Sequence, residues 1–172
     1  GFFDISLLND LPLFIDPFLI FCSEKAEYQE LHEEIIKYMV YLRDYSLRCP
    51  HPTKPMLDAL YRFPEIKQNY LGFCNDGNSG SGLGNDFALA LHSGLKDIFS
   101  SFGSERISKS PHLEKLCLIK DRVGKDNISD FATNLIKHYL LEATERFAKE
   151  YIDPQFCRTF QNIARVQFDF DI

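Results

Sequence analysis

The sequence predicts a mostly α-helical fold: four to five helices around an aromatic-rich core, with a minor β component. Three observations carry this. Apolar residues recur at three- and four-residue spacing over long stretches. Sixteen Phe and eight Tyr supply the large side chains of a packed core. Clusters of Pro, Gly and Asn punctuate the chain between the periodic stretches. At 172 residues the chain has the size of one domain and shows no linker or internal repeat.

Pro17 removes a backbone donor and turns Asp16 away from helical geometry. An extended piece therefore runs to Asp16, and a short helix or strand starts with Pro17 at its first position. Ser23 is the expected cap of the next helix, with Glu24 and Glu27 in its first turn. Leu31, Ile35, Tyr38, Met39 and Leu42 mark its buried face, to about Ser46. Cys49-Pro50-His51-Pro52 stops it, and a short helix from Lys54 to Tyr61 follows. Glu65 to Cys74 reads as a strand or a connector. After the loop Asn75 to Asn85, a helix is marked by Phe87, Leu91, Leu95, Ile98 and Phe102, with Gly103 as its stop. Ser110-Pro111 opens a short helix. The pattern from Ile128 to Phe147 predicts the longest helix, from about Asn127 to Tyr151, closed by Asp153-Pro154. Val166, Phe168 and Phe170 alternate with polar residues, so Ile163 to Ile172 reads as a strand. A lone strand needs a pairing partner. Phe2 to Leu8 or Glu65 to Cys74 could supply it. The favoured expectation is that the chain is a fragment, or the N-terminal part, of a longer protein.

The net charge of -6 argues against broad nonspecific binding to nucleic acid, which needs many Lys and Arg. It leaves room for a local basic patch or a metal site built from acidic ligands. Five dispersed Cys without a C-x-x-C pair read as reduced thiols, and a cytoplasmic location is expected. No apolar run approaches the roughly 20 residues of a membrane span, so no membrane partner is expected.

Lys120 to Asn134 is dense in chemistry-bearing groups. Asp126 or Asn127 can cap the coming helix. Asp126, Asp130 and Asn134 lie one turn apart on one face. Two carboxylates there suit a hard divalent cation, Mg or Mn, and Asp126 and Asp130 are the candidate metal-ligating and catalytic pair. Arg122 and Lys125 could meet a phosphate beside free helix N–H groups, with Asn134 as a further substrate contact. The competing reading is that these residues only cap a helix and complement its dipole.

Gly77 to Gly84 precedes a helix, so Ser79, Gly80 and Gly82 could point backbone N–H groups at an anionic substrate. The loop lacks the Lys-Ser or Lys-Thr of a P-loop, and no strand leads into it as a serine-hydrolase elbow requires. Glu65-Ile66-Lys67 with Asp16 is the one match to a restriction-type nuclease arrangement, and it is a short one. The five histidines form no H-x-x-x-H pair and read as surface or satisfied helix residues.

Ser110-Pro111-His112-Leu113-Glu114-Lys115-Leu116 and Gly124-Lys125-Asp126-Asn127-Ile128-Ser129-Asp130-Phe131 resemble segments of uncharacterised bacterial proteins, as does Leu11 to Phe18. The resemblance covers about a third of the chain. It implies a bacterial setting with a genome-defence association, and it transfers no activity and no catalytic residue. Two functions follow as expectations. One is a metal-dependent, nuclease-like enzyme or enzyme subunit acting on nucleic acid. The alternative is a noncatalytic interaction domain whose partner is another protein or the missing C-terminal part of a larger assembly.

Overall fold

The computed structural model describes residues 13–64, 66, 84–98, 124–159, 161 and 163, without the side chains of 96–98. These residues form six α-helices: α1 Pro17–Phe21, α2 Ala26–Arg48, α3 Lys54–Leu60, α4 Asn85–Ile98, α5 Lys125–Leu135 and α6 Lys137–Tyr151. A short 3-10 turn, Pro154–Phe156, ends the series. The fold is mostly α, with no β-strand among the described residues. The strand expected beyond Ile163, the Phe2 to Leu8 segment, the helix after Pro111, and Phe102 with Gly103 lie outside them.

The spine is α2. It packs against α1, α4 and α5, while α3 lies on α4. Its periodic residues Leu31, Ile35, Tyr38, Met39 and Leu42 are all buried, as the spacing predicts. Phe87, Leu91 and Leu95 meet them from α4, and Phe131, Ala132 and Leu135 from α5. Tyr61 and Phe63, just after α3, complete the aromatic centre with no exposed surface. The Phe63 and Phe131 rings are 4.2 Å apart, and Phe63 meets Tyr38 edge-on.

Buried tyrosines need partners for their hydroxyls. Tyr38 donates to the Leu60 carbonyl and Tyr61 to the Leu42 carbonyl, each at 2.7 Å. These two bonds cross in opposite directions between α2 and the end of α3, and fix one against the other. His92, buried on α4, lies edge-on to the Tyr61 ring, and its Nε2 is 2.9 Å from the Cys49 carbonyl. That histidine is a satisfied core residue.

The structure corrects two helix boundaries. The second helix starts at Ala26, not Ser23, and runs to Arg48. Ser23 instead accepts from the Lys25 N–H, and the Gln29 amide donates to the carbonyls of both Phe21 and Ser23. Those bonds shape the four-residue corner, Cys22 to Lys25, between α1 and α2. The second correction concerns the helix expected over 127–151. It is two helices meeting at Ile136, so α2, with 23 residues, is the longest. Just before the break, Thr133 Oγ1 donates to the Ser129 carbonyl and Asn134 Nδ2 to the Asp130 carbonyl. Such back-bonding competes with the helix ladder and bends helices. Pro17 does open α1, and the Asp16 carboxylate caps it by accepting from the Phe18 N–H at 2.8 Å.

Burial pushes the Tyr61 hydroxyl far above its ordinary value of 10.0, helped by the nearby Tyr45, Tyr41 and Cys49. The folded state then holds this proton where the unfolded chain releases it. Stability is unaffected below the unfolded value and falls as pH rises above about 10. Urea midpoints measured from pH 8 to 11 should therefore drop at the alkaline end, less steeply in Tyr61→Phe. At neutral pH that variant loses one buried hydrogen bond and about 1 kcal/mol. Phe131→Ala, which empties the centre of the core, should cost about 3–5 kcal/mol in the same assay.

Candidate functional site

The polar run at the entrance of α5 divides into two parts. Its first turn is open: Gly124 and Lys125 are exposed, and Asp126 and Asn127 half-buried. Gly124 is the N-cap, not Asp126 or Asn127. Asn127 supplies the reciprocal bond, its Oδ1 accepting from the Gly124 N–H at 3.0 Å. Asp126 sits in the first turn, where a carboxylate complements the helix dipole.

One turn later the polar side chains face inward. Ser129, Asp130, Thr133 and Asn134 are all buried, Asn134 to 1% exposure. The hydrogen bonds of Ser129, Thr133 and Asn134 go to main chain. Ser129 Oγ accepts from the Ile15 N–H at 2.8 Å, across 114 residues of sequence. Asn134 Nδ2 donates to the Pro64 carbonyl at 2.9 Å, as well as to its own helix. Two segments remote in sequence, the strap before α1 and the chain leaving α3, are thus tied to one face of α5. Asp130 is 7% exposed and lies on that buried face. Its carboxylate does not share the open surface on which Lys125 stands.

A cavity of about 500 Å³ opens beside this ladder. Phe14, Asp16 and Leu19 line it from the α1 side, and Lys125 and Ile128 from α5. Of the site residues the sequence suggested, Lys125 borders this space, and Asp126 lies next to it in the chain. Asn134 is held inside the fold by the two carbonyls it binds. Arg122, Ser79, Gly80 and Gly82 lie outside the described residues. Asp16, matched to a nuclease arrangement by its sequence context, is a helix cap and not a strand residue, and Glu65 and Lys67 also lie outside. Among the described residues, no group of three or more His, Cys, Asp and Glu side chains is placed to hold a metal ion.

The structure adds residues that spacing alone did not single out. Ser129 and Thr133 form the latch with Asn134; their i,i+4 spacing was the available signal. His138 lies 3.4 Å from the Glu34 carboxylate and joins α6 to α2. Next to it, burial and hydrogen bonding to Tyr28 push the Tyr139 hydroxyl up to about 12. His32 is buried under α1, its ring 4.9 Å from that of Phe21.

Residues 1–170 match a family described as Domain of unknown function (DUF8370), and the chain belongs to that family. The match spans nearly the whole chain, well beyond the segments that carried the resemblance. No curated protein and no solved structure matches it. No described helix is long and apolar enough to cross a membrane.

If the α5 ladder holds the fold, Asn134→Ala removes the tie to Pro64 and both hydrogen bonds of a buried amide. It should lower unfolding free energy by about 2 kcal/mol in urea denaturation. Lys125→Ala, on the open turn, should change it by less than about 0.5 kcal/mol.

Proposed function

We propose that this member of the DUF8370 family is a noncatalytic interaction domain, working through its surface within a larger assembly. One observation carries the reading. Within the polar run of α5, the Ser129, Thr133 and Asn134 side chains bind main chain inside the protein, so these three serve architecture. The surface supports it as well. Phe14, Phe18 and Leu19 are exposed around α1, and Tyr151, Ile152 and Phe156 at and just beyond the end of α6. Large exposed apolar side chains gathered in patches mark contact surfaces more often than they mark chemistry.

A second reading keeps the domain as a metal-dependent, nuclease-like enzyme or subunit. In it, Asp126 and Asp130 hold Mg or Mn, and Arg122 and Lys125 meet the phosphates of a nucleic acid. The loop with Ser79, Gly80 and Gly82 clamps the substrate, and Asn134 contacts it. Its support is the half-buried Asp126 next to Lys125 on the rim of the cavity. The genome-defence setting belongs with this reading.

Thermal melting in Mg²⁺ or Mn²⁺, against chelator, separates the two. A ligand that binds only the native state raises stability by about 2.7 kcal/mol at a hundred times its dissociation constant. The interaction reading expects melting curves that superimpose, in the wild type and in Asp126→Asn. A melting point raised by metal in the wild type and not in Asp126→Asn would establish the metal reading instead.

A further inference from the structure

Helix α3 has no buried residue of its own. Leu57 and Leu60 rest half-buried against the core, and two tyrosines of α2 fasten its ends. Tyr38 and Tyr45 stand seven residues apart, on one face of α2. Tyr38 holds the last residue of α3 by donating to the Leu60 carbonyl, a good acceptor. Tyr45 holds the first turn by donating to the Met56 sulfur at 3.0 Å. A thioether carries no proton, so the direction of that bond is fixed, and sulfur is a weak acceptor. The two ends of α3 are thus tied unequally. The weak tie lies at the surface, with Met56 39% exposed. The chain has two methionines, and the other, Met39, is packed into the core at 1% exposure. Met56 is the thioether that an oxidant in solution can reach.

We propose that Met56 is a reversible oxidation site, and that Tyr45 captures its sulfoxide so that oxidation tightens α3 onto α2. The oxidant is a hydroperoxide, of which hydrogen peroxide is the simplest. Tyr45 engages one sulfur lone pair, and the other attacks a peroxide oxygen. An S–O bond forms as the O–O bond breaks. The departing hydroxide takes the proton from the transferred oxygen and leaves as water. Sulfur gives up two electrons and the peroxide accepts them. The product oxygen is a far stronger acceptor than the thioether was, and the Tyr45 hydroxyl already points at this group. Met is unbranched and has three rotatable bonds, so the sulfur can retreat and admit the oxygen beside the phenol. Partial burial, and then hydrogen bonding to Cys49, raise the Tyr45 hydroxyl above its ordinary 10.0, so it stays protonated and able to donate. Methionine sulfoxide ordinarily disrupts the apolar contacts around it, and dedicated reductases restore the thioether. Here the polar product meets a donor already in place.

The inference depends on neither reading of the function. Its test uses the full 172-residue chain. The chain is treated with limiting hydrogen peroxide and then with a thiol reductant, which restores cysteine sulfenates and disulfides and leaves methionine sulfoxide in place. Peptide mass mapping should find one added oxygen on Met56 and none on Met39. Amide exchange at Leu57 and Tyr61, whose N–H groups close α3, is compared before and after treatment. Oxidation should slow it about threefold or more in the wild type, as one stronger hydrogen bond requires. Tyr45→Phe keeps the ring and loses the donor, and there oxidation should bring no slowing. Met56→Leu should take up no oxygen at that position and show no change on treatment. Oxidation of Met39 ahead of Met56, wild-type α3 amides that exchange as fast or faster once Met56 is oxidised, or equal slowing in Tyr45→Phe would overturn the proposal.

Discussion

The fold depends on α5 turning its polar face inward. An amide and two hydroxyls on a buried helix face are costly unless bonded. Here the costs become constraints. Ser129 holds the strap at Ile15, Asn134 holds the chain at Pro64, and Phe131 fills the space between them against Phe63. Apolar contacts at this centre would tolerate small slides. Hydrogen bonds of fixed length do not, so they set the register in which α1, α3 and α5 meet.

The same bonds explain the helix break. Thr133 and Asn134 each reach back to a carbonyl of the previous turn, and the chain departs in a new direction at Ile136. After the break α6 keeps one anchor on α2, through Tyr28–Tyr139 and His138–Glu34. None of its residues is fully buried. An architectural device in the core thus produces the outer surface on which the functional reading relies.

Most of the helical plan was legible in the sequence because it rests on periodic burial. The apolar stripe of α2 was readable residue by residue, and Pro17 with Asp16 announced α1. The break at Ile136 was not readable, since apolar periodicity continues through it and back-bonding by Thr133 and Asn134 leaves no trace in hydropathy. The candidate site was half legible. A cluster of Asp, Asn, Ser and Thr marks a place where polar groups matter, but composition does not say whether they face water or main chain. Asp130 and Asn134 share a helical face with Asp126 as the spacing required, yet that face enters the fold one turn in. Only the position of Ile15 and Pro64, remote in sequence, decides this. The glycine loop with Ser79, Gly80 and Gly82 lies outside the described residues, and its reading as a phosphate loop stands as the sequence left it.

The most direct test of the inward ladder is amide hydrogen exchange at Ile15, whose N–H lies in a strap without helical bonds of its own and points to Ser129 Oγ. The account predicts that this amide is protected in the wild type and exchanges at the rate of an open chain in Ser129→Ala, while the α2 amides keep their protection. An Ile15 amide that already exchanges freely in the wild type, or one equally slow in the variant, would contradict it.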